Sequence, residues 1–99
     1  MKIITVDKRY KGYGHFKYYI LLHHLKGPGF HELREWMWQT WGASKELEEW
    51  IYDNARMNSI NIRTVYCQNE HWCWHNDNYE RRLYIKNDEE LMVFKLRWE

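Results

Sequence analysis

The chain has 99 residues, 18% of them aromatic, and its 15 basic side chains nearly balance its 14 acidic ones. This composition suits one folded domain and excludes a disordered, collagen-like or transmembrane chain, because aromatics are plentiful, Gly and Pro are few, and no run approaches ~18 apolar residues. The seven Trp, eight Tyr and three Phe exceed what so small an interior can bury. We therefore expect several at the surface, where exposed apolar patches mark contact sites.

The N-terminal part of the chain predicts strands. Residues 2–6 are rich in β-branched side chains, and we expect residues 1–14 to form either an edge strand or a mobile basic arm. Residues 15–25 are the longest aromatic and aliphatic run, which favours a strand. Because Leu21 and Leu22 would face opposite sides, this strand is expected to be central and covered on part of both faces.

Two helices are expected next. Apolar residues recur at helical spacing over residues 30–41, with Pro28 suited to the helix start and Gly42 to a left-handed stop. Ser44 is a suitable N-cap for the second helix, whose early acidic residues complement the helix dipole. The positions expected to be buried are Phe30, Leu33, Met37 and Trp41 in the first helix and Leu47, Trp50, Ile51 and Ala55 in the second.

The C-terminal part predicts further strands and a last helix. Residues 60–67 and 70–76 indicate strands, and residues 79–86 are expected to pair back as a hairpin partner. Residues 87–98 alternate as a strand would, but an Asn-led capping box, early acids and late bases favour a helix. We therefore expect one α+β domain over residues 1–99, with a small antiparallel sheet of three to four strands and about three helices in the order β-α-α-β-β-α.

The most suggestive motif is residues 71–75, HWCWH. On a strand its side chains alternate, so His71, Cys73 and His75 are expected on one face and the two tryptophans on the other. With Cys67 four residues earlier, these side chains offer nitrogen and sulfur ligands for a zinc ion. The spacing matches no common zinc signature, and the favoured alternative is a half-exposed strand that binds no metal.

Cys73 next to a histidine is also a candidate nucleophile with its base. A nucleophilic thiol needs a lowered pKa and an oriented partner. Nothing in the sequence supplies an oxyanion hole or a third group, and free Cys is among the most often buried residues. A metal-dependent or thiol enzyme is therefore the weakest of three hypotheses, and we expect neither an enzyme nor a cofactor.

Basic and aromatic side chains interleave near the N-terminus. Such a combination is typical of proteins that bind single-stranded nucleic acid, since the charges follow the phosphates and the rings stack on bases. The alternative is a solvated sheet edge with its Tyr side chains packed across the sheet. The candidate nucleic-acid residues are Lys8, Arg9, Tyr10, Lys11, Tyr13 and Lys17.

Three tryptophans are not explained by periodicity. Trp38 shares its helix face with the polar Arg34 and Glu35, and Trp72 and Trp74 share one face of a strand. Trp is enriched at the energetic centres of protein interfaces, so these three tryptophans are the candidate interface residues. For Trp38, the alternative is packing beneath the N-terminal arm or the C-terminal helix.

Three blocks resemble small, mostly uncharacterised proteins of marine tailed bacteriophages. They are residues 33–42 (LREWMWQTWG), residues 71–78 (HWCWHNDN) with the residues that follow, and residues 87–98 (NDEELMVFKLRW). The resemblance spans roughly residues 13–98 and carries no catalytic signature. It implies a phage origin, and it assigns no functional residue.

The leading expectation is a small, phage-type, non-enzymatic interaction protein. Its partner would be a host or virion protein, or a second copy of the chain, bound through exposed aromatic side chains. Single-stranded nucleic acid is the alternative partner, and no membrane is expected. Because two cysteines make no disulfide framework and the N-terminus has no secretion signal, we expect the cytoplasm of an infected bacterium.

Overall fold

The computed structural model describes residues 2–21, 29–60, 69–76 and 81–98, with the backbone alone for residues 56–60 and 76. In chain order its elements are β1 (Lys2–Thr5), β2 (Tyr18–Leu21), α1 (Phe30–Trp41), α2 (Leu47–Ile60), β3 (Trp72–Asn76), β4 (Arg81–Ile85) and α3 (Asp88–Trp98). The expected α+β class is confirmed, with three helices and one four-stranded antiparallel sheet within those ranges.

Two strand expectations have different outcomes. The edge strand expected at residues 2–6 is present as β1. Of the strand expected at residues 60–67, Ile60 is instead the last residue of α2, and the remainder lies outside the described residues. The described elements therefore follow the order β-β-α-α-β-β-α.

The sheet order is β1-β2-β4-β3, and each neighbouring pair is antiparallel. β2 and β4 are central. Of the central strand expected at residues 15–25, Tyr18–Leu21 is present as β2, residues 15–17 precede it, and residues 22–25, Leu22 among them, lie outside the described residues. Residues paired across a ladder point to the same side of the sheet. The register therefore places Ile20, Leu83 and Trp74 on one face and Tyr19, Tyr84 and Cys73 on the other.

Both faces of the sheet are covered, which gives the domain two small cores. α1 and α3 cover the first face, whose buried residues are Ile20, Phe30, Leu33, Met37, Trp72, Leu83, Ile85, Leu91 and Phe94. α2 and the segment between β1 and β2 cover the second, whose buried residues are Val6, Phe16, Tyr19, Leu47, Trp50, Cys73 and Tyr84. Burial on both faces lets this short chain hide many of its aromatic rings.

The segment between β1 and β2 packs against the sheet and does not form a separate arm. The rings of Tyr10 and Tyr19 meet edge to face, with their centroids 5.3 Å apart. Gly12 has a φ of 89°, which other residues rarely adopt. A Cβ at this position would lie 3.4 Å from the side chains of both Leu47 and Tyr84, so the turn approaches the second core closely.

The start of α2 differs from expectation. Ser44 is not the N-cap, because its hydroxyl donates a hydrogen bond to the Trp72 carbonyl at 2.6 Å and so ties the α1–α2 connection to β3. Glu46, immediately before the helix, instead accepts a hydrogen bond from the Glu48 backbone N–H at 2.9 Å. Within α2, Ala55 was expected to be buried and is exposed.

The side chain of Asn69 joins the end of α1 to the start of β3. Its Nδ2 donates to the carbonyls of residues 41–43 at 2.8, 3.2 and 3.2 Å. Its Oδ1 accepts from the backbone N–H groups of His71 at 2.8 Å and Trp72 at 3.3 Å. One amide group therefore satisfies backbone groups at a helix C-terminus and a strand start, which would otherwise need other partners.

Candidate functional site

The HWCWH motif does not bring its three potential ligands together. His71, expected to share a face with Cys73 and His75, precedes β3 and turns towards the other core, so that expectation is wrong for His71. Its Nδ1 donates to Glu90 Oε1 of α3 at 2.7 Å, and its ring stacks on the Trp41 ring with centroids 6.4 Å apart. His71 is thereby held between α1 and α3.

His75 is paired with the carboxylate that precedes α2. Its Nδ1 donates to Glu46 Oε1 at 2.5 Å, and the two side chains are only 17% and 25% exposed. The second oxygen of Glu46 accepts from the first turn of α2, so a single carboxylate connects β3 to the helix start. This geometry explains His75 and Glu46 as a structural link.

Cys73 is fully buried in the second core. Burial, with the charge of Glu46 as a lesser cause, raises the pKa of the Cys73 thiol well above its ordinary value. Because the thiolate is the species that attacks or binds metal, this environment disfavours both roles.

The candidate metal set is not assembled in the part of the chain that the structure describes. Within those ranges, no three His, Cys, Asp or Glu side chains converge in a way that could hold a metal ion. Cys67, the fourth member of the set, lies outside the described residues. The two histidines of the set are each held by a glutamate from a different helix region.

Three cations of the N-terminal segment are paired with carboxylates. Their partners come from the segment itself, from α2 and from α3. The pairs are Arg9 with Asp7 at 2.8 Å, Lys11 with Glu48 at 2.5 Å and Lys17 with Asp88 at 2.9 Å. The hydrogen bond from Lys11 lowers the pKa of Glu48, and those from Tyr18 and then Lys17 lower the pKa of Asp88.

The remaining nucleic-acid candidates of this segment are not paired with carboxylates in the described ranges. Tyr13 is about half exposed, and Lys8 is exposed with no ion pair in the described ranges. Tyr10 packs on the second core and lies beneath the guanidinium of Arg9, 5.7 Å from its ring centroid. The segment therefore presents little uncompensated positive charge beside its rings.

The three candidate tryptophans have different surroundings. Trp72 has no exposed area, and its Nε1 donates to the Gly42 carbonyl at 2.9 Å, so this candidate interface residue is not accessible to a partner. Trp74 is half-buried at the margin of the first core. Trp38 is 51% exposed on the outer side of α1. Of the three, Trp38 is the side chain most available to a partner.

Arg34 connects Trp38 and Trp74 in one surface. It lines, with Trp38, an open groove of about 380 Å³ on α1, and its guanidinium lies 5.2 Å from the centroid of the Trp74 ring. The guanidinium groups of Arg34 and Arg81 each lie 5.5 Å from the centroid of the Phe30 ring. We call the surface formed by His31, Arg34, Trp38, Trp74 and Arg81 the Trp38 patch.

The arginines of the Trp38 patch were not among the candidate site residues, although the sequence placed Arg34 on the same helix face as Trp38. Both stack on rings, and neither has a carboxylate partner among the residues that the structure describes. A local signal existed for Arg34, which lies four residues from both Phe30 and Trp38 and so shares their side of a helix. For Arg81 there was none, because its position depends on the pairing of β4 with β3.

Comparison with protein-family models, with curated proteins and with solved structures finds no match to this chain. Within the described ranges, no helix combines the length and the apolar character that a membrane crossing requires.

Proposed function

We propose that this chain is a small, phage-type, non-enzymatic interaction protein that binds a host or virion protein through the Trp38 patch. The observation that carries the proposal is the half-exposed Trp38 beside a groove that Arg34 also lines, with Arg81 on the neighbouring Phe30 ring; neither arginine has a carboxylate partner in the described ranges. Trp and Arg are the residue types that most often dominate binding energy at protein interfaces.

The chemistry of the patch favours a partner segment with an apolar side chain and nearby carboxylates. The Trp38 ring offers a flat apolar surface at the groove, where a partner side chain can exclude water. Arg34 and Arg81 are already ordered by stacking on rings, which reduces the entropy lost when they pair with a partner's acids. Glu35, which also lines the groove, disfavours a purely anionic ligand.

The nucleic-acid alternative receives less support. Binding to nucleic acid gains free energy when unpaired lysines and arginines neutralise phosphates and release counterions. Arg9, Lys11 and Lys17 are instead neutralised by the chain's own carboxylates. A phosphate would have to displace a carboxylate from each of these three cations, and Lys8 is the candidate cation without an ion pair in the described ranges.

Affinity capture from a bacterial host lysate tests the proposal when three forms of the protein are compared. Trp38→Ala removes the centre of the patch, and Tyr52→Ala is the matched control, since Tyr52 is 62% exposed on α2, on the opposite side of the sheet. We expect a protein that is enriched by the wild type and by Tyr52→Ala and is lost with Trp38→Ala. If every enriched protein is retained by Trp38→Ala, or if only nucleic acid is retained, the proposal is wrong.

A further inference from the structure

The side of α3 that faces away from the sheet carries exposed apolar side chains that are separate from the Trp38 patch. Met92, Val93 and Leu96 are 64%, 41% and 83% exposed. They lie at helical spacing on one side of α3, while Leu91 and Phe94 face the first core on the other. We call Met92, Val93 and Leu96 the α3 stripe.

The two ends of the α3 stripe carry opposite charges. Glu89 precedes Met92 by three residues and extends the stripe towards the acidic first turn, while Lys95 and Arg97 flank its other end in the last turn. The other exposed acid of the first turn, Asp88, is engaged by Lys17 and Tyr18. Glu89 and Lys95 are exposed, and neither makes an ion pair within the described ranges.

We infer that the α3 stripe binds the same stripe of a second copy of this chain, with the two α3 helices antiparallel about a two-fold axis. Across a two-fold axis the same surface of both copies meets, so every contact between residue i of one copy and residue j of the other occurs twice. The surface must therefore be complementary to itself. Antiparallel pairing satisfies this condition, since it buries the three apolar side chains in the centre and places Glu89 of each copy near Lys95 of the other. Parallel pairing would place acid against acid and base against base.

The proposed α3–α3 interface is small, so the dimer it forms is weak. Three exposed apolar side chains from each copy with two charge pairs make a contact at the low end of the size range of specific interfaces. The dimer is therefore weak and dependent on protein concentration, and it forms without the Trp38 patch. Its success or failure is independent of the proposed function.

Sedimentation velocity of the full chain over a roughly hundredfold range of concentration tests the dimer. We expect the wild type to shift from monomer to dimer and Leu96→Glu to remain monomeric; because Leu96 is 83% exposed, this variant keeps the fold. Trp38→Ala is the control and should dimerise like the wild type. A wild type that is monomeric throughout, or a dimer that survives Leu96→Glu, overturns the inference. A dimer that is lost with Trp38→Ala and retained with Leu96→Glu also overturns the inference.

Charge reversal tests the antiparallel arrangement at low ionic strength. Glu89→Lys and Lys95→Glu should each weaken the dimer, since each places like charges together twice. An equimolar mixture of the two variants should restore it, because every pair then joins opposite charges. Thermal unfolding of each variant checks that the fold is retained. If the mixture dimerises no better than either variant alone, the antiparallel arrangement is wrong.

Discussion

Replacing Asn69 by Ala should destabilise the domain without touching either hydrophobic core. The side chain makes five hydrogen-bond contacts with backbone groups, two of them at 2.8 Å and three between 3.2 and 3.3 Å, and the two protons of Nδ2 are shared among three carbonyls. A net hydrogen bond contributes roughly 0.5–1.5 kcal/mol, and the three longer ones contribute least. We therefore expect a loss of about 2–3 kcal/mol, a large part of the 5–15 kcal/mol that is typical of small domains.

Urea unfolding followed by Trp fluorescence measures this loss directly. The indole of Trp50 donates to the Asn69 backbone carbonyl at 2.7 Å, so the fluorescence also reports the local geometry. Asn54→Ala on α2 is the matched control and should change the free energy of unfolding by less than about 0.5 kcal/mol. If Asn69→Ala is as stable as Asn54→Ala, the Asn69 side chain does not join the end of α1 to the start of β3.

Two further predictions concern titratable groups. In a Cys67→Ser variant, the Cys73 thiol should react with a thiol reagent only after unfolding, because burial raises its pKa and blocks access; rapid labelling of the native protein would contradict this. The hydrogen bonds from Tyr18 and Lys17 lower the pKa of Asp88 in the folded state. As the pH falls, the Asp88 carboxylate is therefore protonated in the unfolded chain before it is protonated in the folded one. The stability that Asp88 contributes is present above about pH 3.9 and is lost as the pH falls through the lower folded value. In thermal unfolding at a series of pH values, the stability of Asp88→Asn should therefore fall less steeply with acid than that of the wild type. An equally steep fall would contradict the role given to Asp88.

The helices could be predicted from local pattern because their signals are local. Phe30, Leu33 and Met37 recur at helical spacing and are buried as expected, and Gly42 adopts a left-handed φ of 95° at the end of α1. Asn87 caps α3, since its Oδ1 accepts from the Glu89 N–H at 2.9 Å. Such features depend on residues within one turn, so the sequence alone contains them.

The candidate site could be predicted only in part, because it depends on contacts between distant residues. Alternation correctly put Trp72 and Trp74 on one face, but it could not show that α1 and α3 cover that face and bury Trp72 completely. His71 was assigned to the wrong side because its position depends on Glu90, 19 residues away. The pairing of N-terminal cations with distant acids could likewise not be predicted from local pattern, as for Lys17 and Asp88, which are 71 residues apart.

The most direct test of the central claim is the affinity of the purified protein for the partner identified by capture, measured by calorimetric titration. We predict that Trp38→Ala weakens binding by at least about tenfold, whereas Tyr52→Ala leaves it within about twofold. We also expect weaker binding at higher salt, because the proposed pairs of Arg34 and Arg81 with the partner's acids would form at a partly exposed surface. Equal affinity of Trp38→Ala and the wild type would contradict the claim that the Trp38 patch is the binding surface.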